Sequence, residues 1–426
     1  MKILLIGGGG REHSLAWKII QSPLCDQLIC TPGNAGIAEI ADCANIAVND
    51  VAGIIALVQD ENIDFVIVGP EAPLELGLVD KLTALGIASF GPTEKAAQLE
   101  TSKGFTKDFC TRHTIPTARY DVFTELGDAK AYLDEMTAPY VIKADGLAAG
   151  KGVVIAETKE IALSELDEFF SGKFGDAGTC VVIEEFMYGH EISFFALSDG
   201  KMAMPLIEAQ DHKRAYDGDK GPNTGGMGAY SPVPGFDQAM VNTIMADIIN
   251  PTVHGMAKEN MPFVGVLFAG LMMTDEGPKL IEYNARFGDP ECQLLMRRLK
   301  SDIVEILLAA SLGSLDKSAS PEWDETPVAN VVLAAKGYPN AYAKGTVIKG
   351  VDAANLMEGV QVFHAGTQRN EAGALVAAGG RVLNVTATGK DIDQAVKRAY
   401  SAIDDAIDWP DGFCRRDIAK QALKNM

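Results

Sequence analysis

Short apolar runs in the first part of the chain alternate with longer amphipathic stretches. The runs predict strands at residues 2–6, 27–30 and 65–68, and the stretches predict helices at residues 11–21, 51–59 and 74–85. Strands that alternate with helices and end in glycine favour parallel pairing. We therefore predict a doubly wound parallel sheet. Its ligand should lie at the carboxyl ends of the strands, at the loops of residues 7–13, 31–36 and 69–71.

The central part of the chain mixes strands and helices in less regular order. After a helix with Lys103 and Lys107 on one face, we predict a compact unit over residues 121–187. The predicted strands are residues 120–123, 140–143, 153–156, 180–186, 191–197, 202–208, 264–274 and 278–285. Helices are predicted near residues 128–136, after the strand at 153–156 up to residue 170, and at 237–259 and 302–312.

Pro321 and Pro327 indicate a boundary before the last part of the chain. Beyond it we predict a small α+β domain that completes a cleft, with strands at 328–335, 360–363 and 382–388 and a helix at 391–407. The predicted domains are residues 1–98, residues 99–323 with a lid subdomain at about 121–187, and residues 324–426.

One predicted strand carries more polar chemistry than an ordinary strand. Alternate side chains of an extended segment share a face, so Glu282, Asn284 and Arg286 should project together. The opposite face should carry Ile281, Tyr283 and Ala285. Carboxylate and amide oxygens are ligands that magnesium takes, and an arginine fork binds carboxylate or phosphate. The alternative is a solvated, salt-bridged face, but the following Gly288-Asp289-Pro290 turn favours a binding site.

Two glycine-rich loops are candidate phosphate binders. Lys143 ends a strand, and the loop that follows it, with Lys151, is typical of a flexible lid over polyphosphate. It is not a Walker motif, because Gly152 stands where that motif has Ser or Thr. The loop at residues 7–13 departs from the nicotinamide fingerprint, since Glu12 replaces its third glycine. Its glycines serve either an anion or only a tight turn.

Two further polar segments carry candidate ligands. Glu184 and Glu185 end a strand and should face opposite sides, so at most one meets a given ligand; solvated edge acids are the alternative. The stretch of residues 211–228 is rich in glycine and contains Asp211 and Lys213. A polar loop of this length favours an ordered binding loop.

Composition and charge limit the class of function. The chain has 426 residues, 47% of them hydrophobic and 22% charged, which is typical of a folded protein of two to four domains. A net charge of −21 argues against nucleic-acid or anionic-membrane partners. The net charge does not exclude small phosphorylated ligands. Charges are screened over about 8 Å at physiological salt, so a local basic cluster can outweigh a distant acidic surface.

Cysteine usage and hydropathy indicate the compartment. Seven scattered cysteines without a C-x-x-C pair favour reduced thiols over a disulfide framework or a zinc site. The opening apolar run is too short for a signal peptide, and the longest apolar stretch is well below the roughly 20 residues of a spanning helix. We expect a cytoplasmic monomer that acts on small molecules.

Several blocks together resemble a known family. They are Gly7-Gly-Gly-Gly-Arg-Glu-His13, Gly33-Asn-Ala-Gly36, Gly69-Pro-Glu-Ala-Pro73, Lys143-Ala-Asp-Gly-Leu-Ala-Ala-Gly-Lys-Gly152, Asp211-His-Lys-Arg214, Asn223-Thr-Gly-Gly-Met-Gly228 and Asn284-Ala-Arg-Phe-Gly-Asp-Pro-Glu291. Over essentially its whole length the chain is similar to the glycinamide ribonucleotide synthetase family of the ATP-grasp superfamily. The resemblance implies a central ATP-grasp fold. It also implies ATP-dependent ligation of glycine to 5-phosphoribosylamine in purine biosynthesis, through a glycyl phosphate intermediate.

The resemblance also implies roles for individual residues. ATP would contact Lys103, Lys143, Lys151, Glu184, Glu185, Phe186 and Glu191. Glu282 and Asn284 would hold Mg²⁺ or Mn²⁺, and Arg286, Asp211 and Lys213 would be catalytic. The amine substrate would contact Gly8, Gly9, Gly10, Asn34, Glu71 and Asp289. Many members of the superfamily supply a further acid from the preceding strand, but residues 268–273 contain none, which leaves the number of metal ions open.

Parts of the sequence are also compatible with three other functions. An ATP-grasp carboxylase would use a carboxyphosphate intermediate and depend on bicarbonate. A nicotinamide oxidoreductase is disfavoured by the incomplete fingerprint. A non-catalytic nucleotide sensor should have lost part of the polar strand, whereas Glu282, Asn284 and Arg286 are all present.

Overall fold

The computed structural model describes residues 1–146, 152–173, 178–318 and 320–424. Its N-terminal sheet is parallel, with the order β3-β2-β1-β4-β5. The strands are β1 Lys2–Gly7, β2 Gln27–Pro32, β3 Asp42–Cys43, β4 Phe65–Val68 and β5 Ala88–Phe90. The helices are α1 Gly10–Ile19, α2 Val51–Asp60, α3 Ala72–Glu75, α4 Leu78–Ala84 and α5 Glu94–Thr101. The predicted doubly wound sheet is therefore confirmed, and its strand order reverses between β1 and β4.

The predicted helix over residues 74–85 is wrong as a single element. It consists of α3 and α4, and Gly77 between them has φ +68°. This left-handed conformation suits glycine and interrupts the helical hydrogen bonds.

The next unit is an antiparallel sheet with its own apolar core. Helix α6, Lys103–His113, leads to it. The sheet has the order β6-β9-β7-β8, formed by β6 Tyr120–Phe123, β7 Tyr140–Ala144, β8 Val153–Ala156 and β9 Val181–Glu185. Helices α7 Leu126–Tyr132 and α8 Lys159–Glu168 cover it. We refer to this unit, residues 120–185, as the lid sheet.

A second antiparallel sheet faces the lid sheet across the cavity described below. Its order is β11-β10-β16-β17, formed by β10 His190–Asp199, β11 Ala203–Pro205, β16 Val264–Thr274 and β17 Gly277–Asn284. Together, these two sheets form the ATP-grasp fold. Helices α9 Gln238–Ile244 and α10 Asn250–Lys258 are joined by a π-helical turn at Met245–Ile249. Helices α11 Cys292–Arg298 and α12 Ile303–Ser311 follow β17.

The glycine-rich stretch of residues 211–228 contains strands, which corrects its prediction as a loop. Strands β13 Arg214–Tyr216 and β14 Lys220–Asn223 form a hairpin. The flanking strands β12 Gln210–Asp211 and β15 Gly228–Ser231 pair with each other. The hairpin was missed because β14 contains two turn residues, Gly221 and Pro222.

The C-terminal sheet continues from β12 and β15, in the order β12-β15-β18-β22-β19, and β23 pairs with β18. Its other strands are β18 Val328–Ala335, β19 Val360–His364, β22 Arg381–Thr388 and β23 Gly412–Phe413. A small hairpin joins β20 Thr367–Arg369 to β21 Leu375–Ala377, and the helices are α13 Val351–Asn355, α14 Ile392–Ser401 and α15 Lys420–Lys424. The predicted α+β class is confirmed. In the described part of the chain, each helix is too short or too polar to cross a lipid bilayer.

Candidate active site

A cavity of about 1250 Å³ lies between the N-terminal region, the two antiparallel sheets of the ATP-grasp fold and the C-terminal region. Its lining includes these predicted site residues: Glu71, Lys103, Lys143, Glu184, Glu185, Phe186, Glu191, Asp211, Lys213, Glu282, Asn284, Arg286 and Asp289. Among the described residues, Gly8, Gly9, Gly10 and Asn34 are predicted site residues that do not line it. Lys151 lies outside the described residues.

The polar face of β17 is directed at this cavity. Glu282, Asn284 and Arg286 all line it. Tyr283 also borders it, although Tyr283 and Ala285 are buried. One expectation for the opposite face is wrong. The register with β16 shifts so that Gly270 pairs with Glu282 and Leu271 with Leu280, which makes Ile281 an extra bulged residue. Ile281 therefore lines the cavity as well.

The guanidinium of Arg286 is held by two carboxylates and one amide oxygen. Its Nη2 lies 2.8 Å from Glu100 Oε1 and donates to Asn284 Oδ1 at 3.0 Å, and its Nε lies 3.3 Å from Glu71 Oε2. Burial raises the pKa of Glu100, although Arg286 opposes this. Burial opposes ionisation of Glu71 too, but Arg286 and Arg11 outweigh it and lower the pKa of Glu71. The cluster thus presents a fixed guanidinium.

Glu282 and Asn284 provide two hard oxygen ligands. Burial opposes ionisation of Glu282, but Lys213, Lys143 and Lys103 outweigh it and lower the pKa of its carboxyl group. Among the described residues, no group of three or more His, Cys, Asp or Glu side chains is arranged to hold a metal ion. The donor set fits a divalent ion that takes its remaining oxygens from nucleotide phosphates and water.

A buried ion cluster connects α6 with the lid sheet. Glu184 Oε1 lies 2.7 Å from Lys143 Nζ, and its Oε2 lies 2.9 Å from Lys107 Nζ. Glu184 is only 2% exposed, so the alternative of a solvated edge acid is wrong for this residue. Glu185 lines the cavity too, and its side chain accepts a hydrogen bond from the backbone N–H of Arg119 at 2.9 Å. Lys103 donates to the carbonyl of Gly146 at 3.1 Å, at the start of the predicted phosphate loop.

The segment between β10 and β13 contributes a second charged cluster. Lys213 Nζ forms an ion pair with Glu191, and Asp211 lies beside them. Burial raises the pKa of Asp211; Lys213 opposes this rise, while Glu291 and Glu191 add to it. Because Lys213 is surrounded by these acids, its own pKa is raised although burial alone would lower it. A protonatable acid thus lies next to a firmly cationic lysine.

The N-terminal loops lie next to Asp289 on one side of the cavity. A β-carbon placed on Gly9 would lie 3.5 Å from Asp289 Oδ2. The side chain of Asn34 is occupied within the protein, since its amide group donates to the carbonyls of Gly8 at 2.8 Å and His364 at 2.9 Å. Asn34 therefore holds the loop in shape and joins it to the C-terminal region.

Several residues that line the cavity were not predicted as site residues. The most prominent are Arg11, Glu100, Lys107, Tyr338 and Arg381. Arg381 donates to the carbonyls of Gly225 and Asp289 at 2.6 and 2.5 Å, and its Nη2 lies 3.1 Å from Asp289 Oδ2. For Lys107 a signal existed, because it lies four positions after Lys103 on the same helical face. For Arg381 none existed, since its partners are 92 or more positions away in the chain.

The chain matches three models of one family along its length. These are the phosphoribosylglycinamide synthetase N domain at residues 1–100, the ATP-grasp (A) domain at residues 101–292 and the C domain at residues 328–421. The chain is 58% identical over 423 residues to a phosphoribosylamine–glycine ligase of Agrobacterium fabrum, covering 99% of both chains. It is 51% identical over 421 residues to a chloroplastic phosphoribosylamine–glycine ligase of Arabidopsis thaliana, covering 97% of this chain and 79% of the relative.

Solved structures agree with these matches. The crystal structure of phosphoribosylamine–glycine ligase from Thermotoga maritima has a TM-score of 0.85 and 31% identity, covering 98% of this chain and 100% of that one. The biotin carboxylase domain of the Hydrogenobacter thermophilus 2-oxoglutarate carboxylase has a TM-score of 0.73 at 16% identity, covering 97% of this chain and 91% of that one, a likeness of fold alone. The chain therefore belongs to the phosphoribosylglycinamide synthetase family.

Proposed function

We propose that this protein joins the carboxylate of glycine to the amine of 5-phosphoribosylamine, with ATP converted to ADP and phosphate, in de novo purine biosynthesis. The protein is an ATP-grasp ligase that uses ATP. The main support for the proposal is that candidate metal ligands and candidate phosphate-binding lysines line one cavity. The acid, amide and arginine of β17 face the same space as Lys103 and Lys143.

The reaction needs activation of glycine, because a free carboxylate is a poor acyl donor: it has no good leaving group. One carboxylate oxygen attacks the γ-phosphorus of ATP, the bond to the bridging oxygen breaks and ADP leaves. The amine nitrogen of 5-phosphoribosylamine then attacks the carbonyl carbon of glycyl phosphate, phosphate leaves and the nitrogen gives up a proton. For phosphoryl transfer, the protein mainly has to align the reacting groups and stabilise the charge of the transferring phosphoryl group.

We assign the nucleotide to the side of the cavity formed by the lid sheet. The apolar side chains of Val141, Ile155 and Phe186, together with Met272 and Ile281 opposite, suit an adenine ring. Backbone groups of Glu184, Glu185 and Phe186 would meet the base, and Glu191 the ribose hydroxyls. Lys103 and Lys143 would bind the α- and β-phosphates, and the predicted role of Lys151 is in the loop that covers them.

We assign activation of glycine to the charged side of the cavity. Arg286 would bind the glycine carboxylate, Lys213 the transferring phosphoryl group, and Asp211 the glycine amine. Glu282 and Asn284 would hold a divalent ion, for which we favour Mg²⁺ because both ligands are hard oxygens. That ion would neutralise phosphate charge.

We place the ribose phosphate of the amine substrate against the loop of Gly8, Gly9 and Gly10, with Asn34 and Glu71 nearby. Asp289 lies beside Gly9 of this loop, at the point where the order of the parallel sheet reverses. Asn34 would act indirectly, by shaping that loop through its hydrogen bond to Gly8.

We also propose the domain division 1–98, 99–323 and 324–426, with a monomer in the cytoplasm. Separate sheets support the division, although β12 and β15 of the middle segment extend the C-terminal sheet. All seven cysteines are free thiols in the structure, which suits a reducing compartment.

The decisive experiment is a coupled assay of ADP formation with phosphoribosylamine generated in place and each amino acid omitted in turn. ADP release should require both phosphoribosylamine and glycine, and removal of bicarbonate should have no effect. ADP formation that depends on bicarbonate, or that proceeds without glycine, would contradict the proposal and favour a carboxylase.

A further inference from the structure

The segment that carries Asp211 and Lys213 has little local support. Strand β12 spans only Gln210–Asp211, and the hairpin that follows has short strands. An isolated two-stranded hairpin is marginally stable in water. Lys213 is bound to the residue that follows the second strand of this hairpin, because its carbonyl accepts hydrogen bonds from Thr224 N and Oγ1, both at 2.8 Å. The position of Lys213 therefore depends on whatever holds the hairpin.

Arg415 holds the hairpin from the C-terminal region. Its side chain is 1% exposed and is one of the largest fully buried side chains among the described residues. Nη1 donates to the carbonyl of Arg214 at 3.1 Å and to Asp219 Oδ1 at 2.8 Å, which joins strand β13 to the turn of the hairpin. Nε and Nη2 donate to the two oxygens of Asp417 at 2.7 and 2.9 Å.

Residues near Arg415 make further contacts with the hairpin. We refer to residues 413–422 as the C-terminal strap. The backbone N–H of Gly218 donates to Asp417 Oδ2, and that of Arg416 donates to Asp217 Oδ1, both at 2.8 Å. The backbone N–H of Ala419 donates to Nε2 of His212 at 3.3 Å. The strap thus contacts the residue between Asp211 and Lys213 as well as the hairpin tip.

We propose that the C-terminal strap, through Arg415, is a positioning element that sets Lys213 and Asp211 in the cavity. Arg415 does not line the cavity, so it acts through the hairpin and not on substrate. Its fork suits this task, because one guanidinium can satisfy a carbonyl and two carboxylates at once. Truncating it would leave Asp417 and the Arg214 carbonyl without that partner and would free the hairpin. This inference rests on the proposed function.

The test compares steady-state kinetics of Arg415→Ala, Arg415→Lys and Asp219→Asn with the parent. Small displacements of catalytic groups commonly cost up to about 100-fold, so Arg415→Ala should lower kcat by at least about tenfold. The KM for ATP should change less than kcat, because Val141 and Ile155, which we assign to the adenine ring, belong to the lid sheet and not to the hairpin. Arg415→Lys should recover part of the lost kcat. Asp219→Asn, which keeps Arg415 paired with Asp417, should give a smaller loss in a normally folded protein.

Asp404→Asn is the matched control. Asp404 forms an exposed ion pair with the side chain of Arg416, the next residue of the strap, so this variant should keep parental kcat. Parental kcat in Arg415→Ala and Asp219→Asn, or an equal loss in Asp404→Asn, would overturn the inference. A parent that does not ligate glycine would contradict the proposed function instead. Hydrogen exchange over residues 213–224 would then decide the inference: faster exchange in Arg415→Ala supports it and unchanged exchange overturns it.

Discussion

Glu100 binds both the side chain of Arg286 and the backbone of the residue before it. Its Oε1 lies 2.8 Å from Arg286 Nη2, and its Oε2 accepts a hydrogen bond from Ala285 N at 2.7 Å. One carboxylate near the end of α5 therefore fixes the end of β17 and the direction of its guanidinium before any substrate binds. Such preorganisation is what electrostatic catalysis requires.

Replacing Glu100 by Gln should weaken glycine activation while leaving the fold intact. The amide keeps the shape and one hydrogen bond but removes the charge that holds Arg286. Hydrogen bonds to charged groups contribute about 1.5 to 3 kcal/mol, so kcat/KM for glycine should fall by about tenfold or more. Glu94→Gln, at an exposed position at the start of the same helix, is the control and should behave like the parent. Equal kinetics for the two variants would rule out this role of Glu100.

Replacing Arg286 by Ala should abolish ligation and preserve nucleotide binding. The guanidinium acts on the glycine carboxylate, and loss of one oriented donor commonly costs about 3 kcal/mol in the barrier. Ligation rates and ATP titration would be measured in parallel. Arg369→Ala removes an exposed arginine that pairs with Glu39 and should have no effect on either quantity. Parental ligation by the Arg286 variant would show that the residue is misassigned.

Replacing Glu282 by Ala should raise the metal concentration needed for half-maximal rate. Glu282 is the carboxylate of the two-oxygen set, and the surrounding lysines keep it ionised. Loss of even an outer-shell metal partner commonly costs about tenfold or more, so the shift should be at least that large. The rate would be measured against Mg²⁺ at fixed ATP. Glu276→Ala, at the exposed turn before the same strand, should leave the curve in place. An unchanged curve for Glu282→Ala excludes it as a ligand.

Acid should destabilise the contact between the N-terminal and C-terminal regions through His13. The backbone N–H of His364 donates to His13 Nδ1 at 2.7 Å, so that nitrogen must be unprotonated. Burial, with His364 nearby, lowers the pKa of His13 to about 3, whereas an unfolded histidine titrates near 6.5. The unfolded state therefore binds more protons between these values. The contribution of His13 to the free energy of unfolding is fully present above pH 6.5. It is lost as the pH falls, by about 2 kcal/mol at pH 5.

Urea unfolding at pH 7.5 and pH 5 would measure this loss. In His13→Gln, whose side-chain oxygen can still accept the His364 N–H, the free energy of unfolding should depend less steeply on pH. His190→Gln removes an exposed histidine and should keep the parental dependence. Identical dependence in all three proteins would contradict the assignment to His13.

Local patterns were enough for much of the fold and part of the site. Strands at Phe65–Val68, Val264–Thr274 and Val328–Ala335 were predicted with the bounds that the structure has. Apolar runs of this length between glycine and proline signals identify strands without tertiary information. The hairpin at Arg214–Asn223 was missed, because a segment rich in glycine becomes strand only when partners in the rest of the chain hold it there.

The sequence by itself determined the shared polar face of Glu282, Asn284 and Arg286, because side-chain alternation along a strand is a local property of the backbone. Tertiary structure alone decided which groups hold those side chains and that Lys107 and Lys143 both pair with Glu184. Arg286 meets Glu71 across 215 positions of sequence, and Arg415 meets Arg214 across 201. Such contacts arise from the packing of whole sheets, so no local pattern of residue types encodes them.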